Sequence, residues 1–383
     1  MLLSVIIVSY EVKYFLEQCL CSVNAACKQL EKEKGPGLAE IIVVDNNSGD
    51  GSVQYLEGKF EGVKFYRNNE NLGFGRANNR ALQMAKGEFV LFLNPDTILP
   101  EKIFTDCVSF FQSNPSTGAV GVRMIDGQGM FLPESKRGFP TAWRSLTKLS
   151  GLSSLFPSSK SFAGYNLGHL DQRGIFKVDA LAGAFLMARR NILNDLGGFD
   201  EQFFMYAEDI DLSKRIQDAG YENYYLGNLT ILHFKGESTK RDRKYVELFY
   251  KAMNQYVEKH YKSAGSKLTV SLMNIGIRMR RSIAKANAKP SDQNARLPAT
   301  INLMGDKEEI EMLKQKLPAT INNTSAEVVV LCQGAQFSFA DVIKTIEGLP
   351  SGKHAIIHSA SSASLVGSFR NDQQGISIPL RKT

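Results

Sequence analysis

Asp45 closes the apolar run Ile41-Ile42-Val43-Val44 and leads into Asn46-Asn47-Ser48. A carboxylate at a strand end can accept the imide N–H of uracil or thymine, or equally a ribose hydroxyl. A loop-capping aspartate is the plainer alternative. Asn94-Pro95-Asp96 ends a second run, Phe89 to Leu93. There a single carboxylate can give a hard divalent cation one oxygen ligand and leave positions open for substrate oxygens, or it can simply make a Pro-Asp turn. Glu208, Asp209 and Asp211 fall within four residues, ahead of Leu212 and Ile216. Acidic residues suit the first turn of a helix, and one of them beside a cleft could take a proton from an attacking hydroxyl. His233 follows Thr230-Ile231-Leu232 and could complete a metal site or serve only structure. Lys235, Lys240, Arg241 and Arg243, just beyond it, could meet a pyrophosphate or form a solvated face.

The elements that must position these groups alternate strand and helix. Leu3–Val8 reads as a buried strand rather than a signal peptide, and Val12, Phe15, Leu16, Cys19, Leu20 and Val23 recur at helical spacing. Strands at Ile41–Val44, Val63–Tyr66 and Phe89–Leu93 bracket a helix over Arg76–Ala85. Apolar strands alternating with helices predict an α/β class with a mostly parallel sheet, whose ligands sit beyond the carboxyl ends of the strands. Residues 127–177 are rich in Gly, Ser and Pro and read as an insertion that shapes a substrate cleft. A structured block from Val178 to His233 follows, then an amphipathic helix carrying Tyr245, Leu248, Phe249, Ala252 and Tyr256.

In order and spacing, Ser4-Val5-Ile6-Ile7-Val8-Ser9-Tyr10, Val43-Val44-Asp45-Asn46-Asn47-Ser48, Asn71-Leu72-Gly73-Phe74, Asn94-Pro95-Asp96, Gly183-Ala184-Phe185-Leu186 and Glu208-Asp209-Ile210-Asp211 resemble family 2 glycosyltransferases of the GT-A fold, most closely their rhamnosyltransferase-like branch. The resemblance covers residues 1–262. It implies that Ser9, Tyr10, Glu11 and Asp45 hold a pyrimidine nucleoside, with Arg76, Asn78 and Asn79 near the sugar-diphosphate. It implies Asp96 as a ligand of magnesium or manganese, with Asn94 beside it and His233 as a further ligand. Asp209 becomes the catalytic base, Glu208 its neighbour near the acceptor, and Gly183 part of the acceptor-side wall. Position 94 departs from the more frequent Asp. No Gln-x-x-Arg-Trp segment is present, and the one tryptophan is Trp143, which argues against a processive polymerase such as cellulose synthase.

The implied reaction is inverting, metal-dependent transfer of a sugar, with rhamnose as candidate. The donor is a dTDP- or UDP-sugar and the acceptor a hydroxyl of a glycan or lipid-linked glycan in cell-surface polysaccharide synthesis. Three rivals come from other classes. A sugar nucleotidyltransferase should carry a Gly-rich basic loop after the first strand, where Ser9-Tyr10-Glu11-Val12-Lys13 stands instead. A silent sugar-nucleotide sensor could keep Asp45 and dispense with the acidic helix start. A nucleic-acid binder would use the net charge of +7 but lacks a stacking platform in its basic segment, so no nucleic acid is expected as partner.

That charge is uneven. Residues 235–289 carry fourteen Lys/Arg against four Asp/Glu, so the rest of the chain is slightly acidic. Within this stretch, 267–285 interleaves cations with apolar residues and suits either packing on the enzyme or an anionic membrane surface. We therefore expect a cytoplasmic protein, peripheral on the inner face of the plasma membrane. Five cysteines without a CxxC pair favour a reducing compartment over a zinc site or disulfides. The expected organisation is a GT-A domain at 1–262, a basic segment and linker at 263–296, and a small separate α/β unit at 297–383. That last unit has strands at Thr300–Met304, Val328–Cys332 and Ala355–His358, and lacks a phosphate-cradling glycine fingerprint.

Overall fold

The computed structural model describes residues 1–235, 243–261, 298–317, 320–321, 326–369 and 375–380. The basic stretch 267–285, the linker after it, Lys240 and Arg241 lie outside the described residues.

The unbroken apolar runs form the strands their composition demands. They are β1 (Leu3–Ser9), β2 (Ala39–Asp45), β3 (Val63–Arg67) and β4 (Phe89–Leu93), connected by α1 (Lys13–Lys34), α2 (Ser52–Glu57) and α3 (Phe74–Met84). All four are parallel, in the order β3-β2-β1-β4. The chain continues through β5 (Thr97–Ile98), α4 (Ile103–Ser113), β6 (Thr117–Ile125), β7 (Lys136–Arg137), α5 (Ala142–Leu149), α6 (Leu152–Leu155), β8 (Ile175–Lys177), β9 (Ala180–Leu181), β10 (Phe185–Arg189), α7 (Arg190–Asp195), α8 (Glu208–Asp218), β11 (Glu222–His233) and α9 (Arg243–His260). Past β4 the sheet is mixed: β10 runs antiparallel to both β4 and β6, β11 parallel to β6, and β5 antiparallel to β11. The expected mostly parallel sheet is present: the half that carries Ser9 and Asp45 is wholly parallel, and beyond the reversed β10 the strands β6 and β11 are again parallel to each other. One face of the sheet packs on α1 and α4 through Leu16, Leu20, Phe104 and Phe111, and the other on α3, α7 and α8 through Ala77, Ala81, Leu193 and Leu212.

This topology fixes where the chemistry can be. Ser9 is in register with Asp45, and Ile7 with Leu93, so the carboxyl ends of β1, β2 and β4 open on one edge. A positive φ at Gly73 lets the chain turn into α3, where a Cβ would meet the Phe204 carbonyl oxygen at 2.3 Å. On the far side, β11 pairs its last residue, His233, with Thr97. The Phe234 N–H donates to the Asp96 carbonyl at 3.0 Å, so His233, 137 positions from Asp96 in sequence, is laid beside the Asn94-Pro95-Asp96 turn.

The C-terminal residues form β12 (Thr300–Gly305), α10 (Lys307–Lys316), β13 (Thr320–Ile321), β14 (Val328–Gln333), α11 (Phe339–Glu347), β15 (His354–Ser359), β16 (Ser364–Gly367) and β17 (Ile376–Pro379). Their sheet has the order β13-β12-β14-β15-β16-β17. It is a sheet of its own but not an isolated unit. Leu331, Phe339, Ile343 and Ile357 share one core with Val12, Phe15, Ile98, Leu232 and Phe234. Polar groups lock the same seam. Glu17 on α1 accepts from the Ser364 hydroxyl at 2.5 Å and the Ala363 N–H at 3.2 Å, and the Glu101 carboxylate accepts the Phe339 N–H at 2.7 Å, at the start of α11.

Candidate active site

One cleft of about 480 Å³ opens at the carboxyl edge of the sheet and is lined by Tyr10, Asn94, Asp96, Gly183, Glu208, Asp209 and His233 among others. Residues separated by more than 200 positions thus face a common space.

The carboxyl ends of β1 and β2 stand at one side of the cleft, where Val8, Tyr10 and Asn46 line it. The Ser9 hydroxyl and Asp45 Oδ1 are buried without a hydrogen-bond partner, while Asp45 Oδ2 accepts the Ser48 N–H at 3.0 Å. Buried polar atoms are rarely left unsatisfied, so this pair is ready for a ligand that donates and accepts. Tyr10 presents a half-open ring to the cleft. Glu11 faces elsewhere: its Oε1 accepts the Gly49 N–H at 2.7 Å and braces the neighbouring loop. Asn46 and Asn71, to which the sequence reading gave no role, also line the cleft. Asn46 donates to Asn71 Oδ1 at 2.9 Å and accepts from Leu72 N–H at 3.0 Å, which anchors the Asn71-Leu72-Gly73 turn.

At the centre, His233 Nε2 lies 3.4 Å from Asp96 Oδ1 and 3.3 Å from Asn94 Nδ2, and His233 Nδ1 is buried without a partner. A carboxylate and an imidazole meeting in a cleft are a donor set that suits magnesium or manganese when substrate oxygens complete the shell. No group of three or more His, Cys, Asp or Glu arranged for a metal occurs among the described residues. A metal here would therefore be held by two protein groups and its substrate.

At the opposite end, α8 begins without a capping side chain, after Tyr206 and Ala207 at φ 70° and 64°. Two successive left-handed residues that are not glycine store strain, and they turn the first helical residues toward the cleft. Asp209 Oδ2 accepts from Arg137 Nη2 at 2.6 Å and from the Gly183 N–H at 3.0 Å, and Oδ1 accepts the Ile210 N–H at 2.8 Å. A carboxylate has about four lone-pair sites, so one remains for an incoming proton. Glu208 is buried with Oε2 unpartnered. Burial first, and the charge of Asp209 second, push its carboxyl up to about 8. Glu208 therefore keeps its proton near neutral pH. Asp211 takes no part: Arg215, Lys259 and His260 all reach it from the far side. Burial works against the Arg137 charge, but Asp209 outweighs it and holds the guanidinium firmly protonated.

Arg137 is the functional residue that sequence reasoning missed. It lies within the 127–177 insertion and its Nε is buried without a partner. Its importance rests on a partner 72 positions away, a separation that no local pattern reveals. Lys235 faces Glu134 across the cleft floor; burial opposes the Glu134 charge, yet this lysine holds the carboxyl below its ordinary range. Six expected residues are not among those that line the cleft: Ser9, Glu11, Asp45, Arg76, Asn78 and Asn79. Asn78 donates to the Phe74 carbonyl within α3, Asn79 clamps the Phe199 backbone at 2.8 Å through both its amide groups, and Arg76 pairs with Glu201 at the surface. Their polar atoms are consumed by structure. Gly183 does stand in the wall, but a Cβ would lie an ordinary 3.4 Å from Asp209 Cβ; its contribution is the N–H.

The family model "Glycosyl transferase family 2" matches residues 4–174. The chain is 30% identical over 251 residues to N-acetylglucosaminyl-diphospho-decaprenol L-rhamnosyltransferase of Mycobacterium tuberculosis, spanning 63% of this chain and 78% of that one. Rhamnosyltransferase WbbL of Escherichia coli is 25% identical over 240 residues, spanning 60% and 82%. Among solved structures, mannosyltransferase PcManGT from Pyrobaculum calidifontis, in complex with GDP-Man and Mn2+, aligns with a TM-score of 0.47 and 18% identity, over 75% of this chain and 72% of that one. The chain belongs to glycosyl transferase family 2, where it is rhamnosyltransferase-like, and is a glycosyltransferase built on an α/β fold with a mostly parallel central sheet.

Proposed function

We propose that the enzyme transfers rhamnose or a related sugar, with inversion, from a dTDP- or UDP-sugar to a hydroxyl of a glycan or lipid-linked glycan in cell-surface polysaccharide synthesis. The observation that carries this reading is one cleft holding the Asp96–His233 pair and the Asp209–Glu208 pair. Two rhamnosyltransferases among the relatives, one named for a diphospho-decaprenol acceptor, support the sugar and the acceptor class. No described helix is long and apolar enough to cross a membrane.

In this mechanism the Ser9 hydroxyl and Asp45 Oδ1 read the edge of the pyrimidine, and Tyr10 covers it. Asp96 and His233 would hold a divalent metal, magnesium or manganese, which when bound neutralises charge on a departing diphosphate. Asp209 takes the proton of the acceptor hydroxyl as its oxygen bonds to the anomeric carbon. The bond from that carbon to the diphosphate oxygen breaks on the opposite face, and the single displacement inverts configuration. Arg137 and the Gly183 N–H hold Asp209 in line, and such positioning is a large part of catalysis. Glu208, protonated, sits beside Asp209 without adding a second negative charge and can donate to an acceptor oxygen.

Calorimetry of donor binding with and without chelator tests the metal half. Asp96→Ala should weaken donor binding only when magnesium or manganese is present. Equal affinity of wild type and variant under both conditions would contradict it.

A further inference from the structure

We propose that α5, α6 and the turn after them form a surface that docks the enzyme on an anionic phospholipid bilayer. The proposal extends the functional reading above, whose acceptor class includes lipid-linked glycans. Three large apolar side chains stand out from this segment: Trp143 is 50% exposed, Leu155 73% and Phe156 52%. They are not scattered. Trp143 and Phe156 both lean on Phe162, with ring centroids 6.0 and 5.5 Å away, so the aromatic groups form one cluster. The Trp143 indole N–H already donates to the Ser161 carbonyl at 2.9 Å, so the ring can enter an apolar phase without stranding a donor. All of Ser154 to Ser158 is exposed, which makes the tip a protrusion and not a groove.

Charge selects the occupant. Residues 135–170 contain five Lys/Arg and no Asp or Glu; of the five, Lys136 is buried and Arg137 and Arg144 pair with Asp209 and Asp179. Lys148 and Lys160 are exposed on the same segment as the apolar tip. Apolar and aromatic side chains flanked by cations, with no acid among them, match the headgroup region of an anionic leaflet, where aromatic rings lodge and each cation adds attraction. The placement also suits the chemistry. Lys148, Tyr165 and Asn166 of this segment line the cleft, with Lys148 Nζ 3.9 Å above the Tyr165 ring. The exposed apolar tip and part of the cleft lining thus belong to one segment, with Lys148 on the cleft side.

Trp143 is the only tryptophan, so its fluorescence reports this surface alone. The full chain is titrated with vesicles of phosphatidylcholine, with or without phosphatidylglycerol, some carrying brominated acyl chains. Trp143 emission should shift to the blue and be quenched by bromine only on the anionic vesicles. The double variant Leu155→Ser, Phe156→Ser should partition at least about tenfold more weakly, since burying each side chain contributes more than the equivalent of a tenfold change. Transfer to a soluble acceptor should persist in that variant. Vesicle binding that leaves Trp143 emission unchanged would place attachment elsewhere, as on residues 262–297, and overturn the proposal. So would the absence of binding, or self-association that shields Trp143 without lipid. Wild-type protein that transfers sugar but does not bind vesicles refutes docking alone, whereas wild-type protein that docks through Trp143 without any transfer refutes the catalytic reading alone.

Discussion

Replacing Arg137 with alanine removes a guanidinium that donates at 2.6 Å to Asp209 and at 2.6 Å to the Leu181 carbonyl. The two side chains of the ion pair are only 12% and 14% exposed, so water cannot readily take the place of the lost partner. Breaking a buried pair from one side costs about 3–5 kcal/mol. Asp209 keeps the N–H groups of Gly183 and Ile210, which places the expected cost near the lower end, about 3 kcal/mol. At roughly 2 °C per kcal/mol for a chain of this size, the melting temperature should fall by about 6 °C. Loosening the base should lower kcat about 100-fold, with a smaller change in donor affinity. The decisive form is a double-mutant cycle followed by thermal denaturation. In an Asp209→Asn background no charge is left stranded, so Arg137→Ala should cost only about 1 kcal/mol, a coupling of about 2 kcal/mol. A single-variant cost below about 1 kcal/mol, additive with Asp209→Asn, would refute the claim that this pair organises the cleft.

Two further outcomes follow from the same geometry. Glu208 holds its proton to about pH 8 when folded, against an ordinary value of 4.5, so between those limits the folded state binds more protons and its stability falls as pH rises. Glu208→Gln, which has no proton to lose, should therefore gain stability relative to wild type by up to about 1.4 kcal/mol per pH unit across that window; parallel melting temperatures of the two proteins from pH 5 to pH 8 would contradict this. At the seam with the C-terminal sheet, Glu17→Ala leaves the Ser364 hydroxyl and the Ala363 N–H without their acceptor, while Lys59 keeps Tyr55 and water, and should cost about 1–3 kcal/mol in chemical denaturation. A change below about 0.5 kcal/mol would mean that the seam is held by its apolar contacts alone.

The strands that carry Ser9, Asp45 and Asp96 were legible because fully buried parallel strands must be apolar along their length, and each ends abruptly at a polar residue. The acidic helix start was legible for a similar local reason. What was hidden depends on pairing across the chain. Glu17 lies between Phe15, Leu16, Cys19 and Leu20 on an amphipathic helix, where the pattern suggests a solvated position, yet it is buried because the sheet containing Ser364 covers it. The same covering explains why residues 297–383 read as separate: their strands have the composition of a self-sufficient unit, and only Phe15, Leu232 and Phe234 reveal a shared core. Arg137 sits in a stretch of Gly, Ser and Pro without periodicity. Asn78 and Asn79 misled in the other direction, since an amide that serves helix packing has the same letter as one that meets a diphosphate.

The assignment of Asp209 as base is tested most directly by one paired measurement on Asp209→Asn: donor affinity by calorimetry with metal present, and the rate of sugar transfer to acceptor. Loss of a general base costs about 10²–10⁴ in rate, while Ser9, Asp45, Asp96 and His233 are untouched. Donor affinity near that of wild type with transfer reduced at least about 100-fold is the expected result. An Asp209→Asn enzyme that transfers sugar at the wild-type rate would contradict it.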